Sequence, residues 1–230
     1  MSGIRNWKKL PTGWIEDRGL TKLRWRAGEG SSNIAALMLL AVIGHHFDED
    51  TISAQVTYDT FTVATGLSRT KISHGLKVLE EQEIIHRLED RQSTYQLIDY
   101  NPAAGWGKLP ARSLYHNGMI LPFHEFHLRK KVELDALKLY FAIIARRNNN
   151  SNLAHMNYDT IENYTGIPRN RIKSAISLLS ANTLIHVEHF TSTISDFGVS
   201  NAYRLVHLDP RRHMGTTGKQ FMNDQVYYED

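Results

Sequence analysis

The amino-acid sequence predicts a mainly helical α+β chain with small β-hairpins, built from two tandem copies of one domain. Three observations carry this prediction: a repeat with a period of 100 residues, a helical spacing of apolar residues early in each copy, and an alternating, turn-interrupted pattern at its end. The chain has 230 residues, which is enough for two domains of roughly 100 residues each.

The repeat is clearest where Tyr58-Asp59-Thr60 recurs as Tyr158-Asp159-Thr160. The same offset pairs Thr65-Gly66 with Thr165-Gly166, Arg69 with Arg169, Lys71 with Arg171, Ile72 with Ile172, Leu79 with Leu179, and Ile85-His86 with Ile185-His186. Further upstream, Lys9-Leu10-Pro11 resembles Lys108-Leu109-Pro110, one residue out of register. This extent of matching indicates the duplication of a whole domain.

Breaks in the pattern predict the domain boundaries. Residues 1–30 form an N-terminal arm rich in cations and aromatic residues, and residues 101–107 form a linker because proline and glycines interrupt a strand-like run there. The two domains are predicted over residues 31–100 and 108–210. The last residues, 211–230, lack periodicity and are predicted as a C-terminal tail.

Each domain is predicted to begin with a buried helix, which in the first copy follows a capping cluster, Ser31-Ser32-Asn33, and runs to about Phe47. A short extended segment then leads to a small helix at Tyr58 or Tyr158. Its N-caps are Thr57 and Asn157, and its ends are marked by glycines that readily take the left-handed conformation, Gly66 and Gly166.

A second helix follows each glycine at once, with Ser68 as a predicted N-cap in the first copy and Pro168 suited to the first turn in the second. Two helices joined by such a short turn are typical of a helix-turn-helix. A hairpin is predicted next, from residues 84–88 and 94–100 in the first copy, with a longer version beginning at Leu184 in the second.

The segment from Thr65 to Ile85, TGLSRTKISHGLKVLEEQEII, resembles the recognition-helix segment of bacterial winged-helix proteins. Such segments occur in GntR-type regulators and in the winged-helix domains of plasmid and phage replication initiators. The Lys-Leu-Pro sequence that precedes the helices of each copy, and the tandem arrangement, are more similar to the replication-initiator group. The resemblance covers about residues 33–100 and 133–208 and implies two tandem winged-helix domains.

The second helix of each pair has a polar and cationic face opposite its apolar stripe, as expected of a helix that enters the major groove of DNA. The predicted DNA-contacting residues of the first copy are Arg69, Thr70, Lys71, Ser73, His74 and Lys77. Those of the second copy are Arg169, Asn170, Arg171, Lys173 and Ser174. The hairpin residues Arg87 and Arg91 are predicted to contact the DNA backbone or minor groove.

Several function classes are not expected. The sequence has no cysteine, which excludes disulfides and thiolate zinc sites and is typical of a reducing compartment such as the cytoplasm. No apolar stretch is long enough to span a bilayer, and no membrane partner is expected. The clusters His45-His46 and His124 to His127 lack metal-motif spacing, and no catalytic constellation is present, so neither a metal, a cofactor nor an enzymatic activity is predicted.

The resemblance thus implies sequence-specific binding of double-stranded DNA, in replication initiation or in transcription regulation of a bacterium or a mobile element such as a plasmid. The protein is then expected in the cytoplasm with the nucleoid. Half-sites about 34 Å apart, one helical turn, are the geometric expectation. The alternative is a protein-docking scaffold of a replication, recombination or segregation complex. Protein partners at the N-terminal arm or the C-terminal tail, and a homo-oligomer, stay open.

Overall fold

The computed structural model describes residues 4–101, 103–191 and 199–208. These residues form helices and several small antiparallel sheets, so the predicted α+β class with small hairpins is confirmed. The predicted C-terminal tail lies outside the described residues, and so do residues 192–198 of the predicted second hairpin.

The first copy consists of ten elements. In chain order they are β1 (Trp7–Pro11), α1 (Gly13–Glu16), the 3-10 helix η1 (Gly19–Lys22), α2 (Gly30–His46), β2 (Phe47–Asp48), β3 (Ser53–Gln55), α3 (Tyr58–Thr65), α4 (Arg69–Glu81), β4 (Ile85–Arg87) and β5 (Thr94–Leu97). Strands β2 to β5 form an antiparallel sheet in the order β2-β3-β5-β4.

The second copy follows with eleven elements. They are β6 (Trp106–Pro110), the 3-10 helix η2 (Arg112–Leu114), β7 (Tyr115–His116), β8 (Met119–Ile120), α5 (Leu121–His124), α6 (Lys131–Arg146), β9 (Leu153–His155), α7 (Tyr158–Thr165), α8 (Arg169–Ala181), β10 (Ile185–Thr191) and β11 (Val199–Leu205). The hairpin β10–β11 is longer than β4–β5, as predicted, and it forms a sheet in the order β10-β11-β9.

The pairs α3–α4 and α7–α8 lie at the same positions 100 residues apart, and we call them helix-turn-helix unit 1 (residues 58–81) and unit 2 (residues 158–181). The predicted caps are confirmed at Thr57 and Asn157, whose side chains accept from the amides of Thr60 and Thr160 at 3.1 and 2.8 Å. Ser68 likewise accepts from the amide of Lys71.

Both turn glycines have the predicted left-handed backbone, with φ of 72° at Gly66 and 66° at Gly166. The buried threonine before each glycine reinforces the turn, since its hydroxyl donates to a carbonyl four residues earlier and accepts from the amide two residues later. The Thr-Gly pair therefore repeats because it builds the same turn twice.

The predicted cap of the first helix is wrong. Helix α2 begins at Gly30, so the Ser31-Ser32-Asn33 cluster lies inside it, and the preceding residue Glu29 makes no side-chain cap. Gly30 packs directly against the ring of Trp25, and the side-chain amide Nδ2 of Asn33 donates to the carbonyl of Arg24 at 2.8 Å. Contacts with the preceding segment thus extend the helix N-terminally past the cluster.

The region predicted as an N-terminal arm is an integral part of the fold. It contains β1, α1 and η1, and four of its apolar side chains are buried: Leu10, Ile15, Leu20 and Leu23. The last two residues of the predicted linker, Trp106 and Gly107, begin strand β6. Strands β1 and β6 pair with each other, and buried residues of both copies form one hydrophobic core.

A mutation at Gly107 tests the packing between strand β6 and helix α6. A Cβ built at this position would lie 2.9 Å from Cγ2 and 3.0 Å from the carbonyl carbon of Ile144, which is in helix α6. Because part of this neighbourhood is backbone, we expect Gly107→Ala to lower the free energy of unfolding by about 2 kcal/mol. Urea denaturation measures the loss, and Gly13→Ala is the control because a Cβ there meets nothing within 4 Å. Equal loss in both variants would contradict the packing described.

Candidate nucleic-acid interface

Helix α4 has one buried and one exposed face. Its buried residues Ile72, Gly75, Leu76 and Leu79 pack on helix α2, and Gly75 is so close that a Cβ there would lie 2.9 Å from the backbone nitrogen of Ala36. The opposite side carries the exposed residues Thr70, Ser73, His74 and Lys77. The orientation expected from the helical spacing is therefore present.

Helix α8 repeats this arrangement against helix α6. Ile172, Ala175 and Leu179 are buried, whereas the exposed face carries Asn170, Lys173, Ser174 and Ser177. We call the exposed residues of α4 and α8, together with Arg69 and Arg169 at their first positions, the outward faces. Both outward faces are polar or cationic and accessible to a large ligand.

The arginine at the start of each outward face is held by an aspartate of the preceding helix. Arg69 donates to Asp59 at 2.7 Å, with both side chains at least 70% exposed. Arg169 is paired with Asp159 in the same way, and its guanidinium lies over the ring of Tyr158, 5.7 Å from the centroid. These exposed pairs add little stability, but they orient the arginines beside the outward faces of the two helices.

Lys71 and Arg171, two of the predicted DNA contacts, instead point to the body of the protein. The Lys71 ammonium donates to the hydroxyl of Ser31 at 2.7 Å, and Arg171 donates to Asp135, whose side chain is 4% exposed, at 2.8 Å. Both positions precede by one turn the buried Gly75 or Ala175, which places them at the rim of the buried stripe. The outward faces therefore exclude them.

The predicted hairpin contacts also divide into two kinds. Arg87 is bound to the protein, because it donates to Glu80 at 3.1 Å and its guanidinium lies over the ring of Tyr95. Arg91 lies in the turn between β4 and β5 with its side chain 62% exposed, near Asp90 at 3.9 Å. Arg91 is thus the more exposed of the two, with 62% of its side chain accessible against 40% for Arg87.

Two cations of the N-terminal region, Lys8 and Lys9, are used within the fold. The ammonium of Lys8 donates to the carbonyl of Phe47 at 2.7 Å, and Lys9 forms an ion pair with Glu49 at 3.2 Å. Burial lowers the pKa of Lys8, which is consistent with a structural role. The protein docking left open for this region is therefore not carried by these two lysines.

Each helix-turn-helix unit is contacted at its turn by a residue of the other copy, which no sequence pattern predicted. His124 of α5 covers the turn of unit 1, with Nε2 3.3 Å from the carbonyl oxygen of Val63 and Nδ1 3.0 Å from a Cβ built at Gly66. Thr21 of η1 covers Gly166 of unit 2 in the equivalent place. These contacts join residues more than 50 positions apart, and local patterns do not report them.

A buried polar cluster lies beside the start of α8. Lys138 of α6 donates to the carbonyl of Leu23 at 3.0 Å, and burial lowers the pKa of Lys138 to about 8. Its neighbour Asp135 pairs with Arg171, yet burial raises the pKa of this carboxyl. An aspartate and a lysine three residues apart within the otherwise apolar stretch 134–145 are the sequence signal that could have identified this cluster.

Neither a metal site nor a membrane-spanning helix is present among the described residues. No group of three or more His, Cys, Asp or Glu side chains within residues 4–101, 103–191 and 199–208 is arranged to hold a metal ion. No helix in this part of the chain has the length and apolar character needed to cross a bilayer. Comparison with protein-family models, curated proteins and solved structures finds no match to this chain.

Proposed function

We propose that the protein binds double-stranded DNA sequence-specifically through two winged-helix domains, each made of a helix-turn-helix unit and its hairpin. The observation that carries this proposal is the repetition of the outward faces: α4 and α8 are anchored along one side by apolar residues and present polar and cationic residues on the other. A polar outer face is common to surface helices, so the support comes from its recurrence on the second helix of both helix-turn-helix units, the position that enters the major groove in this motif.

The side chains on the outward faces suit base edges and phosphates. Arginine at the start of each helix can donate two hydrogen bonds to guanine, and Asn170 can donate one hydrogen bond to N7 of adenine and accept one from its N6 amino group. Lys77 and Lys173 are one or two turns further along and can reach phosphates flanking the groove. Arg91 at the tip of the β4–β5 hairpin would contact the backbone beside unit 1.

The biological setting follows from the resemblance to winged-helix regulators and replication initiators. We propose a role in replication initiation or transcription regulation in a bacterium or a mobile element, in the cytoplasm and on the nucleoid, without enzymatic activity. One chain then supplies two DNA-recognition helices. Regulators with one helix-turn-helix per chain obtain the second recognition helix by forming a dimer.

Selection of bound fragments from a random duplex pool, followed by titration of the recovered sequence, tests the proposal. We expect a defined motif and an affinity that falls about 1000-fold between 50 and 200 mM salt, as for some six neutralised phosphates. Fluorescence anisotropy of labelled duplex measures both, with a scrambled duplex as the control. Recovery of no motif, together with weak and salt-insensitive binding, would overturn the proposal and favour the scaffold role.

A further inference from the structure

The strands that join the two copies pair about a local two-fold axis. The Trp-Lys-Lys-Leu-Pro sequence of β1 and the Trp-Gly-Lys-Leu-Pro sequence of β6 occupy equivalent positions in the two copies. They run antiparallel, with Lys9 opposite Lys108, Trp7 opposite Pro110 and Pro11 opposite Trp106. The equivalent lysines thus face each other at the centre. On either side the same tryptophan–proline pair occurs with the two strands interchanged, as a two-fold rotation requires.

Side chains around this pair obey the same symmetry. The rings of Trp7 and Trp106 stack with centroids 5.9 Å apart and planes inclined by 6°. Lys9 lies over the ring of Trp106 at 5.2 Å, and Lys108 lies over the ring of Trp7 at 5.0 Å. Each lysine therefore crosses to the tryptophan of the other copy, at nearly equal distances.

The symmetry extends beyond the strands to the helices. Helix α2 contacts its equivalent α6, and η1 of the first copy packs on α7 while α5 and β8 of the second pack on α3. Contacts between equivalent surfaces and reciprocal exchange of segments define an isologous arrangement, which a two-fold axis produces. A head-to-tail arrangement of tandem domains would instead place different surfaces in contact.

We infer that the DNA ligand is a duplex with two inverted half-sites of different sequence, which the chain reads in one fixed orientation; this rests on the proposed function. Two helices related by a two-fold axis can dock equivalently on one duplex only if the half-sites are also related by a two-fold axis. Direct repeats lack that relation. The target is therefore an imperfect palindrome.

The half-sites differ because the outward faces differ. Arginine is shared at their first position, Arg69 and Arg169, and predicts one base or phosphate contact common to both half-sites. The remaining equivalent pairs are different: Thr70 and Asn170, Ser73 and Lys173, His74 and Ser174, and Lys77 and Ser177. Such side chains select different bases, so a given half-site accepts one helix better than the other.

Four duplexes built from the selected site test the inference with the full chain. The first duplex carries the site as recovered, and the second carries the same site with one half-site inverted in place. The third and fourth are perfect palindromes, one made from two copies of the first half-site and one from two copies of the second, all at unchanged spacing. Turning one half-site round is expected to weaken binding about 100-fold, because one helix loses its base contacts. Each palindrome is expected to bind more weakly than the recovered site and more tightly than the turned one.

Asn170→Ala supplies an independent reading of the orientation. It should relax base preference in one half-site and leave the other unchanged, whereas Thr70→Ala should act on the opposite half-site. A selected motif of two direct repeats, or equal affinity for the recovered and turned duplexes, would overturn the inference while the proposed DNA binding stood. Absence of any sequence-specific binding would overturn both.

Discussion

Between pH 7 and pH 4.5 the protein is expected to lose about 3 kcal/mol of stability through one buried histidine, His45. This residue of helix α2 is fully buried, and its ring joins the two copies. Nε2 lies 2.8 Å from the carbonyl oxygen of Pro110 and Nδ1 lies 2.8 Å from the hydroxyl of Tyr115. A neutral ring with the proton on Nε2 satisfies both, since it donates to the carbonyl and accepts from the tyrosine.

Burial lowers the pKa of His45 to about 3, and the nearby charges of His46 and Lys8 act in the same direction. The ordinary histidine pKa of about 6.5 applies in the unfolded chain. Because the folded pKa is the lower one, the stabilisation is fully present above pH 6.5 and is lost as the pH falls towards 3. Each unit of pH in this window costs about 1.4 kcal/mol.

The measurement is the free energy of unfolding of His45→Gln and the wild type at several pH values. Glutamine keeps one donor and one acceptor but does not titrate, so the variant should be less stable at pH 7 and show a shallower decline. Some decline remains, because burial also lowers the pKa of His46, His155 and His207. Tyr115→Phe is the control: it removes one hydrogen bond and should keep the wild-type slope. Parallel curves for wild type and His45→Gln would contradict this role.

Features set by neighbouring residues were predictable from the sequence. The caps at Thr57 and Asn157 and the left-handed turn at Gly66 depend on atoms within four residues, and the structure has all three. The direction of the outward faces also follows from helical spacing alone. This is why the boundaries and orientation of both helix-turn-helix units could be obtained without coordinates.

Features set by distant segments were not predictable. The pairing of β1 with β6 joins residues about one hundred positions apart, and the repeated Lys-Leu-Pro indicates duplication without indicating that its two copies pair. The inward direction of Lys71 and Arg171 depends on how closely α4 and α8 lie on α2 and α6. The side chain of a residue at the rim of a buried helical stripe can point to solvent or to the protein, and the distance to the packed helix determines which.

Charge reversal on both outward faces is expected to reduce DNA affinity about 1000-fold and to make its salt dependence shallower by roughly two phosphate contacts, those of Lys77 and Lys173. The variant combines Arg69→Glu and Lys77→Glu on α4 with Arg169→Glu and Lys173→Glu on α8. All four side chains are exposed, so the fold should survive, and thermal unfolding checks this. Each two-residue variant alone, on α4 or on α8, should lose about 30-fold, because the other helix still binds.

The control separates contact from net charge. Arg5→Glu with Arg112→Glu changes the charge as much as either two-residue variant, at exposed cations outside both helix-turn-helix units. Long-range repulsion alone would weaken all three two-residue variants alike, and it fades within about 10 Å at 0.1 M salt. Direct contact requires that only the variants on α4 and α8 lose affinity at 150 mM salt. If the control loses as much as they do, these helices do not enter the DNA.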